Sequence, residues 1–219
     1  MGRINRKSQA GIQSPRLPKI VELSAIPHDE LTEATTYSQF EFQQVTLTGQ
    51  KAYRVHFEEG TCTQLTVNET EFDEMRVDDV RWSGCNLANA TWVKLACLRV
   101  SFTGCRMTGF LTREAVLQDT TFADCQCELS QFFEAKLKSV RFDRCSLVGA
   151  DFRNADVSGV VFAQCDLTDT DFTGATMMKA DLRGCPIAGM RVNPKDLQGA
   201  IVDEGQALAL VRAMGITIV

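Results

Sequence analysis

Nine cysteines, two histidines and a run of closely spaced carboxylates are the residues of this chain that could do chemistry. Six of the thiols stand at Cys85, Cys105, Cys125, Cys145, Cys165 and Cys185, twenty residues apart each time. Thiols serve as nucleophiles, zinc ligands or disulfide partners. Cys125-x-Cys127 is not a zinc-ligand pair of the usual spacing. His28 and His56 have no Ser or Cys constellation around them, and no GxGxxG, GxxxxGK or HExxH stretch is present. Paired acids such as Glu58-Glu59 or Asp78-Asp79 lack a concave apolar wall to drive their pKa values apart. The expected catalytic, cofactor and metal sets are therefore empty, and the chain reads as non-enzymatic.

The spacing of the six thiols points to architecture, because a twenty-residue beat returns the chain to one place in space at every repeat. Beneath it lies a period of five. From Phe42, every fifth residue reads Leu47, Ala52, Phe57, Cys62, Val67, Phe72, and the register continues to Leu197. Of these 32 centres 31 are hydrophobic, Thr112 being the exception, whereas an average content of 44% gives about 14 by chance. A helix repeats at three and four and a strand at two, so neither explains a beat of five. A short extended piece followed by a corner does, and four corners close a square. Residues 40–199 then make eight coils, about 38 Å tall at ~4.8 Å per coil.

A second inward position lies two residues before each centre and is mostly small, as in Cys145, Ala150, Ala155, Cys165, Ala175 and Ala180. Gln50, Leu65, Met75, Leu95 and Phe110 oversize it. Glycines such as Gly84, Gly104 and Gly149 take the fifth position, where the backbone turns. Centres twenty apart stack rings in two opposite ladders and aliphatic residues between them, so the core is filled and leaves no room for a buried small molecule. All nine cysteines fall at the two inward positions, which favours thiols acting as small core hydrophobes. Stacked Cα atoms ~4.8 Å apart also permit disulfides, and zinc would need a tetrahedral pocket that a filled core lacks. Reduced thiols predict a cytoplasmic protein. Asp151, Asp156, Asp166, Asp171 and Asp181 recur at one pentad position and read as turn residues that bond the backbone.

Pentads such as Ala150-Asp151-Phe152-Arg153-Asn154 and Ala180-Asp181-Leu182-Arg183-Gly184 resemble the pentapeptide-repeat family, whose motif is a small residue, Asp or Asn, Leu or Phe, then two variable polar positions. The resemblance covers 40–199, is sharpest at 140–189 and is degenerate at 45–115. It implies an all-β fold, a right-handed quadrilateral parallel β-helix, with a short helix following.

The ends follow from the need to cover unpaired coil edges. Residues 1–19, with Arg3, Arg6, Lys7, Arg16 and Lys19 and no acid, read as a basic disordered leader, with a nucleic-acid-touching tail as the alternative. Residues 20–39 are expected to cap the first coil. In 200–219, Asp203 and Gln206 resemble a capping box. Ala207, Leu210, Val211 and Met214 line one helical face, Gly215 is a C′ stop, and Ile216–Val219 reads as a last strand. Asp196-Leu197-Gln198-Gly199-Ala200, Gln206-Ala207 and Met214-Gly215-Ile216 are similar to the C-terminus of quinolone-resistance pentapeptide proteins. That likeness implies a homodimer about 75 Å long, with an interface at Ala207, Leu210, Val211, Met214, Ile216 and Ile218. It also implies partners, DNA gyrase or topoisomerase IV, bound by imitation of duplex DNA. No direct nucleic acid, membrane or small-molecule partner is expected.

Charge supports the imitation in part. Residues 40–199 hold 22 acids and 17 bases, whereas duplex DNA of that height carries about 22 charges. The acid concentrates in 58–79, where Glu58, Glu59, Glu69, Glu71, Asp73, Glu74, Asp78 and Asp79 face only Arg76, and these eight are the expected partner-binding surface. Residues 80–199 hold 13 acids and 14 bases.

Overall fold

The computed structural model describes residues 11–18, 31–213 and 215–217. Its strands are β1 (Thr36–Ser38), β2 (Glu41–Gln43), β3 (Lys51–Tyr53), β4 (His56–Thr63), β5 (Glu71–Asp73) and β6 (Arg76–Ser83). They continue as β7 (Thr91–Val93), β8 (Ala96–Thr103), β9 (Val116–Ala123), β10 (Lys136–Asp143) and β11 (Val161–Ala163), and helix α1 spans Glu204–Ala213. Every pairing is parallel and joins a residue to the one twenty further on, as Thr61 to Arg81, Arg81 to Ser101 and Ser101 to Thr121. Four such columns begin at Thr36↔His56, Glu41↔Thr61, Thr46↔Thr66 and Lys51↔Glu71, one for each side of a square.

The corners have a common backbone cause. From Ala34 to Gly199, the residues with positive φ all hold the fifth place of a pentad, whether glycine or not. β4, β6, β8, β9 and β10 each cover two sides and bend at Glu59, Asp79, Arg99, Asp119 and Ser139, with φ between +50 and +56°. A left-handed residue costs roughly 1–2 kcal/mol, and the bridges on either side of each corner offset that cost.

Strands account for about six turns rather than the expected eight. Beyond β11 the register persists as single bridges, Val161↔Asp181 and Asp181↔Ile201. Single bridges also occur at Thr46, Arg106, Leu111 and Gln126, and in the later coils aspartates reinforce the same turn. Asp151, Asp156, Asp166, Asp171 and Asp181 each accept a hydrogen bond from the N–H two residues on, at 2.9–3.2 Å. That local bond holds the turn that follows each bridged residue.

Rings fill the interior in two ladders. Phe122 and Phe142 stack at 4.6 Å and 7°, Phe132 and Phe152 at 4.9 Å and 9°, and the ladders meet edge-on, as Phe142 and Phe152 do at 6.1 Å and 85°. The oversized small sites are buried too, at Leu65, Met75, Leu95 and Phe110. Three oversized small sites are followed by reduced centres, Phe110 by Thr112, Leu95 by Cys97 and Gln50 by Ala52, whereas at the first coil Phe40 is followed by Phe42. Volume is thus balanced within those three pentads. Thr112, the polar exception, is fully buried and its hydroxyl donates to the Trp92 carbonyl at 3.0 Å. At the first coil Phe40 occupies a small site, and Gly60 one coil on makes room: a Cβ there would lie 2.3 Å from the ring.

All nine thiols are free and buried. The Sγ–H groups of Cys85, Cys105, Cys125, Cys145 and Cys185 each donate to the carbonyl 23 residues earlier, at 3.3–3.7 Å. Burial pushes the Cys62 and Cys97 thiols upward from the usual range.

Described residues at each end make contacts with the terminal coils. Leu31 is buried and its N–H donates to Gln50 Oε1 at 3.0 Å, while the Tyr37 ring packs on Phe57 at 5.5 Å. At the far end the capping box is reciprocal: Asp203 N–H donates to Gln206 Oε1 at 3.0 Å and Gln206 N–H to Asp203 Oδ1 at 2.9 Å. The Gln206 amide then donates to the Leu182 and Cys185 carbonyls, fastening α1 to the last coil. Gly215, at φ +80°, stops the helix with its N–H on the Arg212 carbonyl at 2.9 Å. Ile216 and Thr217, expected in a strand, form none; Ile218 and Val219 lie outside the described residues, as do His28 and the expected cap over 20–30.

Candidate protein-binding surface

With the interior filled, chemistry is confined to outward positions and the two ends. The eight early acids occupy different sides of the square. Glu58 and Asp78 lie on one side and Glu59 and Asp79 at its following corner; Glu71 and Asp73 lie on another side, with Glu74 at its corner, and Glu69 stands at the corner before it.

Most are paired with groups one coil away. Lys51 reaches Glu71 at 2.8 Å, and Arg54 and Lys94 reach Glu74 at 2.9 and 3.7 Å. Glu74 also accepts from the Tyr53 hydroxyl at 2.9 Å. The Arg54 hydrogen bond, followed by that of Tyr53, holds the Glu74 carboxyl below its usual range. Asp78 is held between His56 at 3.0 Å and Arg76. Asp79 takes a two-pronged bond from Arg99, one prong at 2.7 Å. Burial tends to raise Asp79, but the Arg99 bonds and the Arg16 N–H outweigh it and the carboxyl sits low. Glu59 accepts from Gln39 at 3.3 Å. Among the described residues Glu58, Glu69 and Asp73 have no ion-pair partner. The strong local field expected from 58–79 is therefore partly cancelled, because the neutralising bases Lys51, Arg54, Lys94 and Arg99 are near in space and outside that window in sequence.

Two features escaped the sequence reading. Phe133 stands at an outward position and lines a surface groove of about 520 Å³ with Thr91, Val93, Leu111 and Arg113, with the Arg153 guanidinium 5.7 Å above its ring. Its signal was available: Phe133 is the one phenylalanine at neither inward position. The second is the leader. Gln13 N–H donates to Asp119 Oδ1 at 3.4 Å and Arg16 N–H to Asp79 Oδ1 at 2.8 Å. Residues 11–18, read as part of a disordered segment, thus lie on the coil surface; 1–10 and 19 fall outside the described residues.

The C-terminal face divides differently from the expected stripe. Leu210 and Val211 are half-buried and Leu210 lines a groove with Met190 and Val192, whereas Ala207 is exposed. Ile201, Leu208 and Ile216 are the large apolar groups exposed at this end, at 38%, 47% and 54%. Met214 and Ile218 lie outside the described residues. Among the described residues no helix is long and apolar enough to cross a membrane.

Four columns of parallel bridges at a fixed register of twenty define a β-solenoid. Residues 96–162 match the family model described as "Pentapeptide repeat region", and 145–184 the one described as "Pentapeptide repeats (8 copies)". The two models together assign residues 96–184 to pentapeptide repeats. No curated protein sequence matches it. Among solved structures it is similar to HetL from the cyanobacterium Nostoc sp. strain PCC 7120, involved in heterocyst differentiation regulation: 18% identity, 81% of this chain and 93% of that one, TM-score 0.43. It is also similar to a trypsin-treated variant of QnrB1, a plasmid-mediated fluoroquinolone resistance protein: 16% identity, 84% and 98%, TM-score 0.39. A pentapeptide-repeat protein from the Arabidopsis thaliana thylakoid lumen, AT2G44920, shares 23% identity over 51% of this chain and 71% of its own, TM-score 0.21. At these identities and TM-scores the likenesses carry no argument, and the task is argued from this chain's own surface.

Proposed function

We propose that this protein is a non-enzymatic, cytoplasmic binding rod that engages DNA gyrase or topoisomerase IV where duplex DNA would lie, and so modulates the enzyme or guards it from a quinolone or natural toxin. The observation that carries this reading is the filled tube, which leaves the outer coils and the ends as the places where a partner can meet it. The C-terminal sequence likeness supplies the class of partner. The unpaired acids Glu58, Glu69 and Asp73 supply negative charge on the early coils. Two copies join through the C-terminal end, where Ile201, Leu208 and Ile216 are exposed; Leu208→Glu lowers the dimer fraction in light scattering.

The test is gyrase supercoiling with and without a quinolone. Purified protein changes either reaction at stoichiometric ratios, with an effect that fades as salt rises. Glu58→Lys, Glu69→Lys and Asp73→Lys together remove it without disturbing the fold. No effect at excess on gyrases from several bacteria would sink the topoisomerase reading. A second reading, a general protein-binding scaffold, is favoured by the ion-paired acids and by the balance of 13 acids against 14 bases over 80–199.

A further inference from the structure

One corner of the square carries Glu59, Asp79, Arg99 and Asp119 in successive coils, each with positive φ and a side chain turned outward. Outward carboxylates on a rod are expected to be wet, and on this column Lys179 is exposed. Asp79 and Asp119 are nevertheless buried, at 7% and 6%. Residues 11–18 lie over them. The segment runs along the rod axis, across the strands: Gln13 bonds Asp119, Arg16 bonds Asp79 two coils back, and Leu17 and Pro18 line a cavity of about 380 Å³ with Phe40, Glu59 and Gly60.

The spacing is not arbitrary. Three extended residues from Gln13 to Arg16 span ~10 Å, and two coils span ~9.6 Å. An extended chain laid along the axis therefore presents an N–H to every second coil, and Asp79 and Asp119 stand two coils apart to receive it. Arg99, at the coil between, pairs with Asp79 at 2.7 Å and orients the carboxylate that receives Arg16 N–H. Recognition is by backbone N–H groups, which are not special to this segment, so a second chain of similar shape fits the same carboxylates.

We propose that this corner column is a peptide-binding groove, held closed by the chain's own residues 11–18, whose intermolecular ligand is an extended basic segment with backbone N–H groups three residues apart. A tethered occupant competes at an effective concentration of about millimolar. An incoming segment enters only by exceeding that, so the strap sets a threshold for partners of the acidic column.

The experiment keeps the full chain and lifts the strap. Gln13→Pro with Arg16→Pro deletes both N–H donors and leaves the rod untouched, which far-UV circular dichroism verifies. A fluorescein-labelled peptide of residues 11–19 is titrated by anisotropy. It binds the double-proline chain at least about tenfold tighter than the wild-type chain. Methylating its Arg16 backbone nitrogen, which keeps the charge, weakens it about tenfold, and Asp79→Ala with Asp119→Ala, which removes both acceptors from the rod, abolishes binding. Equal binding to both chains, or an equally good scrambled peptide, overturns the proposal. So does a second result independent of these variants: trypsin cutting the Arg16–Leu17 bond of the wild-type chain as fast as that of the free peptide.

Discussion

Phe110 and Thr112 exchange the sizes that a pentad normally assigns to its two inward places, and a double-mutant cycle tests whether the core is specified by volume per pentad. Phe110→Ala removes a ring that is 1% exposed and edge-on to Trp92 at 5.3 Å, which costs about 3–5 kcal/mol. Thr112→Phe forces a second ring beside Phe110 and leaves the Trp92 carbonyl without its hydroxyl donor; overpacking of this kind costs about 1–3 kcal/mol. Additivity predicts a loss of about 4–8 kcal/mol for the pair. The double variant instead returns one ring to the coil, in the gap that Thr112 leaves between Trp92 and Phe132. Its loss is expected near 2 kcal/mol, a coupling of about 2–6 kcal/mol. Guanidinium unfolding followed by far-UV circular dichroism reads it, provided the slope is unchanged, because repeat arrays lose cooperativity readily. Losses that simply add, within about 0.5 kcal/mol, would refute volume sharing between the two sites.

Gly60→Ala, whose Cβ would meet the Phe40 ring at 2.3 Å, loses about 1–3 kcal/mol; Phe40→Ala in the same chain relieves the clash, so a cycle with no coupling counts against it. Gln206→Ala leaves the Cys185 carbonyl and the Asp203 N–H without these partners and strips the Leu182 carbonyl of one of its two donors, and hydrogen exchange should show α1 fraying while coils 60–160 stay protected. The Arg144 bond to Asp124 and the Arg183 bond to Asp181 hold both carboxyls below the usual range. Depressed folded-state values mean that this stabilisation is complete above the ordinary carboxylate pKa of ~3.9 and is lost as pH falls through the folded values. Melting temperature should therefore be level from pH 7 to 5 and drop below about pH 4, with a smaller drop in Arg144→Gln combined with Arg183→Gln.

The fold was legible because a solenoid writes its geometry in one dimension: each pentad is a side, and each coil repeats the last. The capping box at Asp203 and Gln206 was legible for a similar reason, since its partners are three residues apart. Charge was not. A window over 58–79 counts eight acids and one base, while Lys51, Arg54, Lys94 and Arg99 stand beside those acids one coil away. The coupling that matters runs at twenty residues, and a contiguous window cannot hold it. The strap was illegible for a different reason. Gln13 and Arg16 engage through main-chain N–H groups, which leave no mark on side-chain pattern, and the acids they meet lie 63 and 106 positions away.

The column of sulfur has a consequence for how the rod is made. Cys62, Cys85, Cys105, Cys125, Cys145, Cys165 and Cys185 plant at least one thiol in each successive layer from the second onward, and all are sealed from solvent when the layers are stacked. A pulse of alkylating reagent during refolding labels only those layers still open. Peptide mapping of the label then reads the direction and speed of assembly, one layer at a time, without the introduction of any probe.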